Sequence, residues 1–279
     1  MSLSAVEKEI SDEIQHLIAN DRLVLPTLPE IALKARDVAQ DPDVTALQLS
    51  KVVENDPALS VRLVRVANSP MLRGQRKIDD LHQAIARMGI VYACNLISAL
   101  AMRQMFQATT STVDQLMRNV WNHSTQVAAT ATILCKHYTR LKPDQATLAG
   151  LVHQIGILPL LSFAEMRPEL LRNSFTLTAT IEHLHPQIGE MILRLWEFPP
   201  ELIAVPQEHS QLDRVVPQAD YVDLVMIANL ESLYGTEHPL AQVDWHDVSA
   251  FKRLGLEPDE LTSNKELIEE KTSAVNALN

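Results

Sequence analysis

Apolar residues recur along this chain at three- and four-residue spacing, and strict alternation is nearly absent. Helices need the first pattern and half-buried strands the second, so the sequence predicts an all-α protein. Glycine is scarce, with 7 in 279 residues, which leaves few positions for tight turns between strands. Helix punctuation supports this reading. Ser4, with Glu7 at the third helical position, predicts a capping box opening a leading helix with Val6, Ile10, Ile14 and Leu17 as its stripe. Pro29 opens a helix carrying Ile31, Ala35 and Val38. Thr45 with Gln48 forms a second capping box, and Asp56-Pro57 supplies an N-cap followed by proline at the first helical position. Leu59, Leu63 and Val66 are the buried stripe of that helix. Asp79 and Asp80 precede "LHQAIARMG", which Gly89 closes.

These signals divide the chain into a leading helix (1–22), an N-terminal helical lobe (23–112), a second helical lobe (113–256) and a polar tail (257–279). In the second lobe one helix is expected around Trp121 and His123, and another around Cys135. The tail reads as a peripheral helix that frays. Trp121, Trp196 and Trp245 read as packing anchors, and "RLWEFPPEL" as a helix end and a new start at Glu201.

Composition bounds the function. Hydrophobic residues make up 46% but aromatics only 4%, so the core must be aliphatic. A net charge of -11 gives no general attraction to nucleic acid or anionic lipid. Cys94 and Cys135 lie in apolar helical contexts without CxxC spacing, as small buried thiols of a reducing compartment do. The first ten residues lack the basic-then-apolar order of a signal peptide. The apolar stretch between Arg87 and Arg103 is too short to span a bilayer, which needs roughly 20 residues. A cytoplasmic protein without membrane association is expected.

Chemistry concentrates in the second lobe. "AGLVHQIGILPLL" (149–161) reads as a buried helix start whose apolar run is interrupted by His153 and Gln154. A polar pair in such surroundings costs free energy unless it is satisfied. Three more histidines stand beside small or apolar residues: His123, His185 and His209. Imidazoles arriving from several helices are one way a bundle builds a metal site. No local ligand spacing such as HExxH accompanies them, and a helical histidine is more often a hydrogen-bonded core residue. GxGxxG, Walker A and GxSxG motifs do not occur.

The stretches "LPTLPEIALKARDVAQDPDVTALQLSKVVENDPALSVRLVRVANSP" and "IDDLHQAIARMGIVYACNLISAL" resemble the first lobe of the HDOD (HD-related output domain) family. The shared features are a Leu-Pro-x-Leu-Pro opening, an Asp-Pro-Ala-Leu-Ser helix start, an Ala-Asn-Ser ending and an Ala-Ile-x-x-x-Gly helix. The second lobe is similar to the HD superfamily of metal-dependent phosphohydrolases, of which HDOD is a divergent branch. The resemblance covers roughly Leu25 to Tyr234. It implies a two-lobed helical fold, an N-terminal bundle packed on a degenerate HD-like lobe.

The superfamily uses a His, a His-Asp dyad and a distant Asp around one or two divalent metals. By resemblance His123 matches the first His and His153 the dyad His, but Gln154 stands at the dyad Asp. Asn229 stands where the closing Asp is expected, with Asp220 as a rival alignment. His185 and His209 resemble the additional histidines of the HD-GYP branch, whose Gly-Tyr-Pro signature is missing. Two dications roughly 3.5–4 Å apart need a bridging anion, and a neutral glutamine cannot bridge as a carboxylate. The expected site is therefore a relic without catalytic residues, cofactor or metal. Gln154 is free to crosslink to backbone groups or to His123. The resemblance implies a bacterial signal-transduction module that binds a signalling protein or a nucleotide-like ligand. The alternatives are a metal-dependent phosphohydrolase acting on a nucleotide or cyclic dinucleotide, and a single structural ion held by His123, His153, His185 and His209.

One surface feature stands out in so acidic a chain. Between Val61 and Ile78 lie Arg62, Arg65, Arg73, Arg76 and Lys77 and no acid. Such a patch suits an acidic partner segment or a phosphate group, or is a solvated helix face. The groove between the lobes is the default place for a small ligand.

Overall fold

The computed structural model describes residues 5–278 apart from 21, 71, 73 and 75; Ser4 and Arg73, with the roles expected of them, lie outside the described residues. Helices, turns and loops account for all of it, with no strand among the described residues. The first lobe holds α2 (Glu30–Ala39), α3 (Ala46–Val53), α4 (Pro57–Ala67), α5 (Leu81–Met88) and α6 (Ile90–Ala101), preceded by α1 (Ala5–Ala19). The second holds α7 (Ser111–Tyr138), α8 (Pro143–Val152), α9 (Ile157–Glu165), α10 (Pro168–Arg172), α11 (Ser174–Leu195), α12 (Pro200–Glu208), α13 (Tyr221–Leu233) and α14 (Ser249–Leu254). Helices α15 (Pro258–Ser263) and α16 (Lys265–Leu278) follow.

The cap chemistry is as expected. Thr45 and Gln48 close a reciprocal capping box, and the Asp56 and Asp80 side chains accept from the third helical amides of α4 and α5. Gly89 adopts φ 83°, a conformation costly for a side-chain-bearing residue, where α5 turns into α6. The Asn68 side chain accepts from the Ile78 amide and donates to the Val64 and Ile78 carbonyls, pinning the loop after α4. Arg87 donates to Ala67 O and Arg76 O from the other side.

Four expectations need correction. The helices expected around Trp121 and Cys135 are one helix of 28 residues. The Thr125 and Thr132 hydroxyls bond back to Trp121 O and Ala128 O, so these poor helix formers satisfy themselves without breaking it. "AGLVHQIGILPLL" is not a helix start: His153 to Gly156 form the turn between α8 and α9. The tail does not fray. Leu267, Ala274, Ala277 and Leu278 are buried, and α16 packs across α7 and α4, touching both lobes. Finally, one helical stretch that the sequence reading passed over, Pro143–Glu165, has the length and composition of a span, and 89% of its window is buried within the fold.

Two glycines set how closely the helices approach. A Cβ at Gly150 would sit 2.4 Å from Ala128 Cα, so α8 lies directly against α7. A Cβ at Gly156 would sit 2.1 Å from His185 O, so the α8–α9 turn lies against α11. These approaches seat the His153 turn between α7, which carries His123, and α11, which carries His185.

Candidate functional site

The four histidines converge. His123 comes from the middle of α7, His153 from the turn after α8, His185 from α11 and His209 from the end of α12. Ring centroids lie 5.3 Å apart for His123–His153, 5.1 Å for His153–His209 and 5.7 Å for His185–His209. The last three rings are buried and His123 is half-buried.

Backbone contacts fix the tautomers. His153 Nδ1 lies 2.6 Å from Gly150 O and His209 Nδ1 lies 3.1 and 3.0 Å from Val205 O and Pro206 O. A carbonyl only accepts, so both nitrogens carry the proton. His153 Nε2 and His185 Nδ1 are buried without a hydrogen-bond partner. Burial holds all four imidazoles below their ordinary titration range. His185 is pushed down to about 3 and His209 to about 4, with burial as the first cause. His153 lies well below its ordinary value and His123 is also lowered, both chiefly by burial, with neighbouring histidines adding to it. At neutral pH the cluster is an uncharged, nitrogen-rich pocket.

Asn229 is the polar group that meets it. Its Oδ1 lies 3.0 Å from His123 Nε2, and the Ser232 hydroxyl donates to Asn229 O. Asp220 is engaged elsewhere, capping α13 through the Asp223 amide and pairing with Arg214. Of the two, Asn229 is the one that contacts His123. Gln154 does not crosslink: among the described residues its side chain has no hydrogen-bond partner, and His123 is held by Asn229 instead. Gln154 sits one residue along the turn from His153 and is only half-buried.

Sequence reasoning missed the frame behind the pocket. Arg214 is 7% exposed and pairs with Glu208, Asp220 and the fully buried Asp223 at 2.8–2.9 Å. Arg253 reaches Asp223 from α14 at 2.7 Å. This network ties the residue next to His209 to the start of the helix carrying Asn229. The signal available was the acidic cluster "ADYVD" after a lone arginine, which spacing does not connect to histidines.

Among the described basic residues, two share a groove. Arg65 donates to Asn276 O and lines a groove of about 450 Å³ with Lys77, between α4 and α16. Arg76 is exposed and Arg62 half-buried, and neither lines that groove.

A family model for the HDOD domain matches residues 25–212. The chain belongs to the HDOD family. A solved structure from Shewanella amazonensis SB2B named "Putative metal-dependent phosphohydrolase" is 28% identical, with a TM-score of 0.90 over 99% of this chain and 100% of that one. An HDOD domain protein of unknown function from Geobacter sulfurreducens is 22% identical, with a TM-score of 0.66 over 91% and 92%. A Marinobacter aquaeolei VT8 structure named for signal transduction is 23% identical, with a TM-score of 0.61 over 93% and 61%. An uncharacterized Treponema pallidum protein is 22% identical over 82% of this chain, which spans about half (46%) of that relative.

The wider HD fold implies divalent metal, so the donor set is the test. Hard dications at paired spacing need carboxylate oxygens. Here an amide faces His123, another amide follows His153, and no group of three His, Cys, Asp or Glu among the described residues is placed to share an ion. The residues present do not fit a two-metal centre.

Proposed function

We infer that this HDOD chain is a non-catalytic regulatory module of a bacterial cytoplasm, whose HD-type pocket has been converted into a neutral, buried histidine cluster. The observation that carries this is Asn229 Oδ1 at 3.0 Å from His123 Nε2. The amide occupies a ring nitrogen that a metal would need, and it brings no charge to offset a cation. The Marinobacter relative named for signal transduction and the buried, free cysteines Cys94 and Cys135 are consistent with such a role.

The surface that fits a signalling protein is the groove between α4 and α16. Arg65 and Lys77 flank Val61, which is 58% exposed, and Val64. An acidic segment with an apolar face suits it, because its charge meets the arginine and lysine while its apolar side covers the valines.

A phosphohydrolase reading is favoured by one observation, the name of the Shewanella structure. It requires a metal-generated nucleophile, and the donor set above does not provide for one. The test is turnover. The full chain with Mn, Mg or Fe(II) should hydrolyse neither mononucleotides nor cyclic dinucleotides above the protein-free rate. Phosphodiesterase turnover abolished by His153→Ala would overturn the reading.

A further inference from the structure

The chain passes from the first lobe to the second through the 3-10 turn Met102–Met105 and the loop that leads to α7. That connector is held in place. The Phe106 amide donates to Arg103 O, and the Phe106 ring packs on Trp121 of α7 with centroids 5.3 Å apart. The Glu165 carboxylate accepts from the Thr109 hydroxyl at 2.8 Å and from the Thr110 amide at 2.6 Å. Between connector and α7 lies a cavity of about 230 Å³, bounded by Arg103, Phe106 and Gln107 on one side and by Arg118, Trp121 and Asn122 on the other. None of the four clustered histidines lines it.

The four polar residues of this wall are accessible. The Arg118 side chain is 65% exposed, Gln107 and Asn122 are exposed, and Arg103 is half-buried. No acid lines the cavity, in a chain of net charge -11. Asp114, one turn before Arg118, engages it through Nε at 2.7 Å, which offsets part of the charge and orients the guanidinium. Two guanidiniums call for an oxyanion. A phosphate monoester has three terminal oxygens and can accept from both at once, whereas a single guanidinium fork already matches the two oxygens of a carboxylate. The cavity has room beyond the phosphate. There Gln107 and Asn122 each carry a carboxamide, which donates and accepts as a partner for hydroxyls. Phe106 and Trp121 are each 3% exposed, so they close the floor and offer little ring face for a base to stack on.

We propose that this cavity binds a small phosphorylated sugar or polyol. Arg103 and Arg118 hold the phosphate, and Gln107 and Asn122 read hydroxyls of the carbon chain. The ligand bridges the connector and α7 and so pins the joint between the lobes. The proposal stands apart from the regulatory reading and holds whether or not the histidine pocket has any activity.

Calorimetric titration of the full chain with ribose 5-phosphate, glucose 6-phosphate, inorganic phosphate and ribose tests it, at low ionic strength so that charge contacts are not screened. At least one sugar phosphate binds saturably, inorganic phosphate binds at least threefold more weakly, and ribose does not bind. Arg103→Gln and Arg118→Gln each weaken sugar phosphate binding at least tenfold. Arg118 stands at an exposed position, so its variant decides the matter if Arg103→Gln melts lower than wild type. Gln107→Ala with Asn122→Ala lowers the affinity to that of inorganic phosphate. Arg140→Gln, in the exposed loop after α7, leaves binding unchanged and controls for the loss of a positive charge alone. No saturable binding by either sugar phosphate, equal binding of inorganic phosphate, binding that withstands Arg118→Gln, or an equal loss on Arg140→Gln overturns the proposal.

Discussion

The Asn229 side-chain Oδ1 and His123 Nε2 lie 3.0 Å apart across the face between α13 and α7. One hydrogen bond thus joins the two positions where a resemblance to HD phosphohydrolases would put a carboxylate and a metal-bound imidazole. At His123 it puts a neutral hydrogen bond in the place of charge neutralisation. His123 remains neutral, and its nitrogen is satisfied by an amide.

Removing the amide should therefore harm the fold. Asn229→Leu leaves the His123 N–H without its acceptor and should cost about 1–3 kcal/mol, read as a lower urea midpoint with unchanged m-value. Asn229→Asp together with Gln154→Asp should cost a similar amount in metal-free buffer, because buried carboxylates lack counter-charge. Adding Mn should restore the midpoint of the double variant and leave wild type unaffected.

The neutral cluster makes stability depend on pH. Unfolded imidazoles titrate near 6.5, whereas in the folded chain burial holds His185 near 3 and His209 near 4. Between these values the unfolded state takes up protons that the folded state refuses. Stability should be whole above about pH 7 and decline as pH falls from 6.5 toward 4. Urea midpoints measured from pH 7.5 to 4.5 check this. His185→Phe with His209→Gln should flatten the slope over that range, and an unchanged slope would count against the burial argument.

Close approach of the α8–α9 turn to α11 lets His153 and His185 both reach His209. Gly156→Ala places a Cβ 2.1 Å from His185 O, a backbone atom that cannot swing aside. It should destabilise by about 1–3 kcal/mol or more. Gly255→Ala, where an added Cβ has open space but φ is 67°, should cost only about 1 kcal/mol. Thermal melts of the two variants separate crowding from backbone strain.

The frame of Arg214, Asp223 and Arg253 should matter more than any exposed ion pair. Arg214→Ala leaves the fully buried Asp223 with one cation instead of two and should cost roughly 3 kcal/mol. The exposed pair Lys34–Glu30, screened by solvent, should contribute far less. Double-mutant cycles on both pairs give the comparison.

Much of the fold was legible because its signals are local. Thr45, Asp56, Asp80 and Gly89 each mark a helix boundary through groups within a few residues, and all four hold. What was misread depends on distant partners. The continuity of α7 rests on Thr125 and Thr132 bonding to carbonyls of their own helix, while their type suggests a weak point. The tail looks polar because its buried residues, Leu267, Ala274, Ala277 and Leu278, are few, yet they suffice to seat α16 between lobes. The four histidines could be singled out by their neighbours, but their convergence rests on glycine contacts that no spacing records. Asn229, singled out by resemblance, does meet His123. The contact expected of Gln154 is not made, since a residue in a turn has no periodic face to fix its direction.

The most direct measurement is the metal content of the pocket. The full chain is equilibrated with excess Mn or Fe(II), freed of unbound ion and analysed for bound metal per chain, alongside His153→Ala. The account predicts substoichiometric metal in both proteins, with no difference between them. Two ions per wild-type chain, lost on replacing His153, would contradict it.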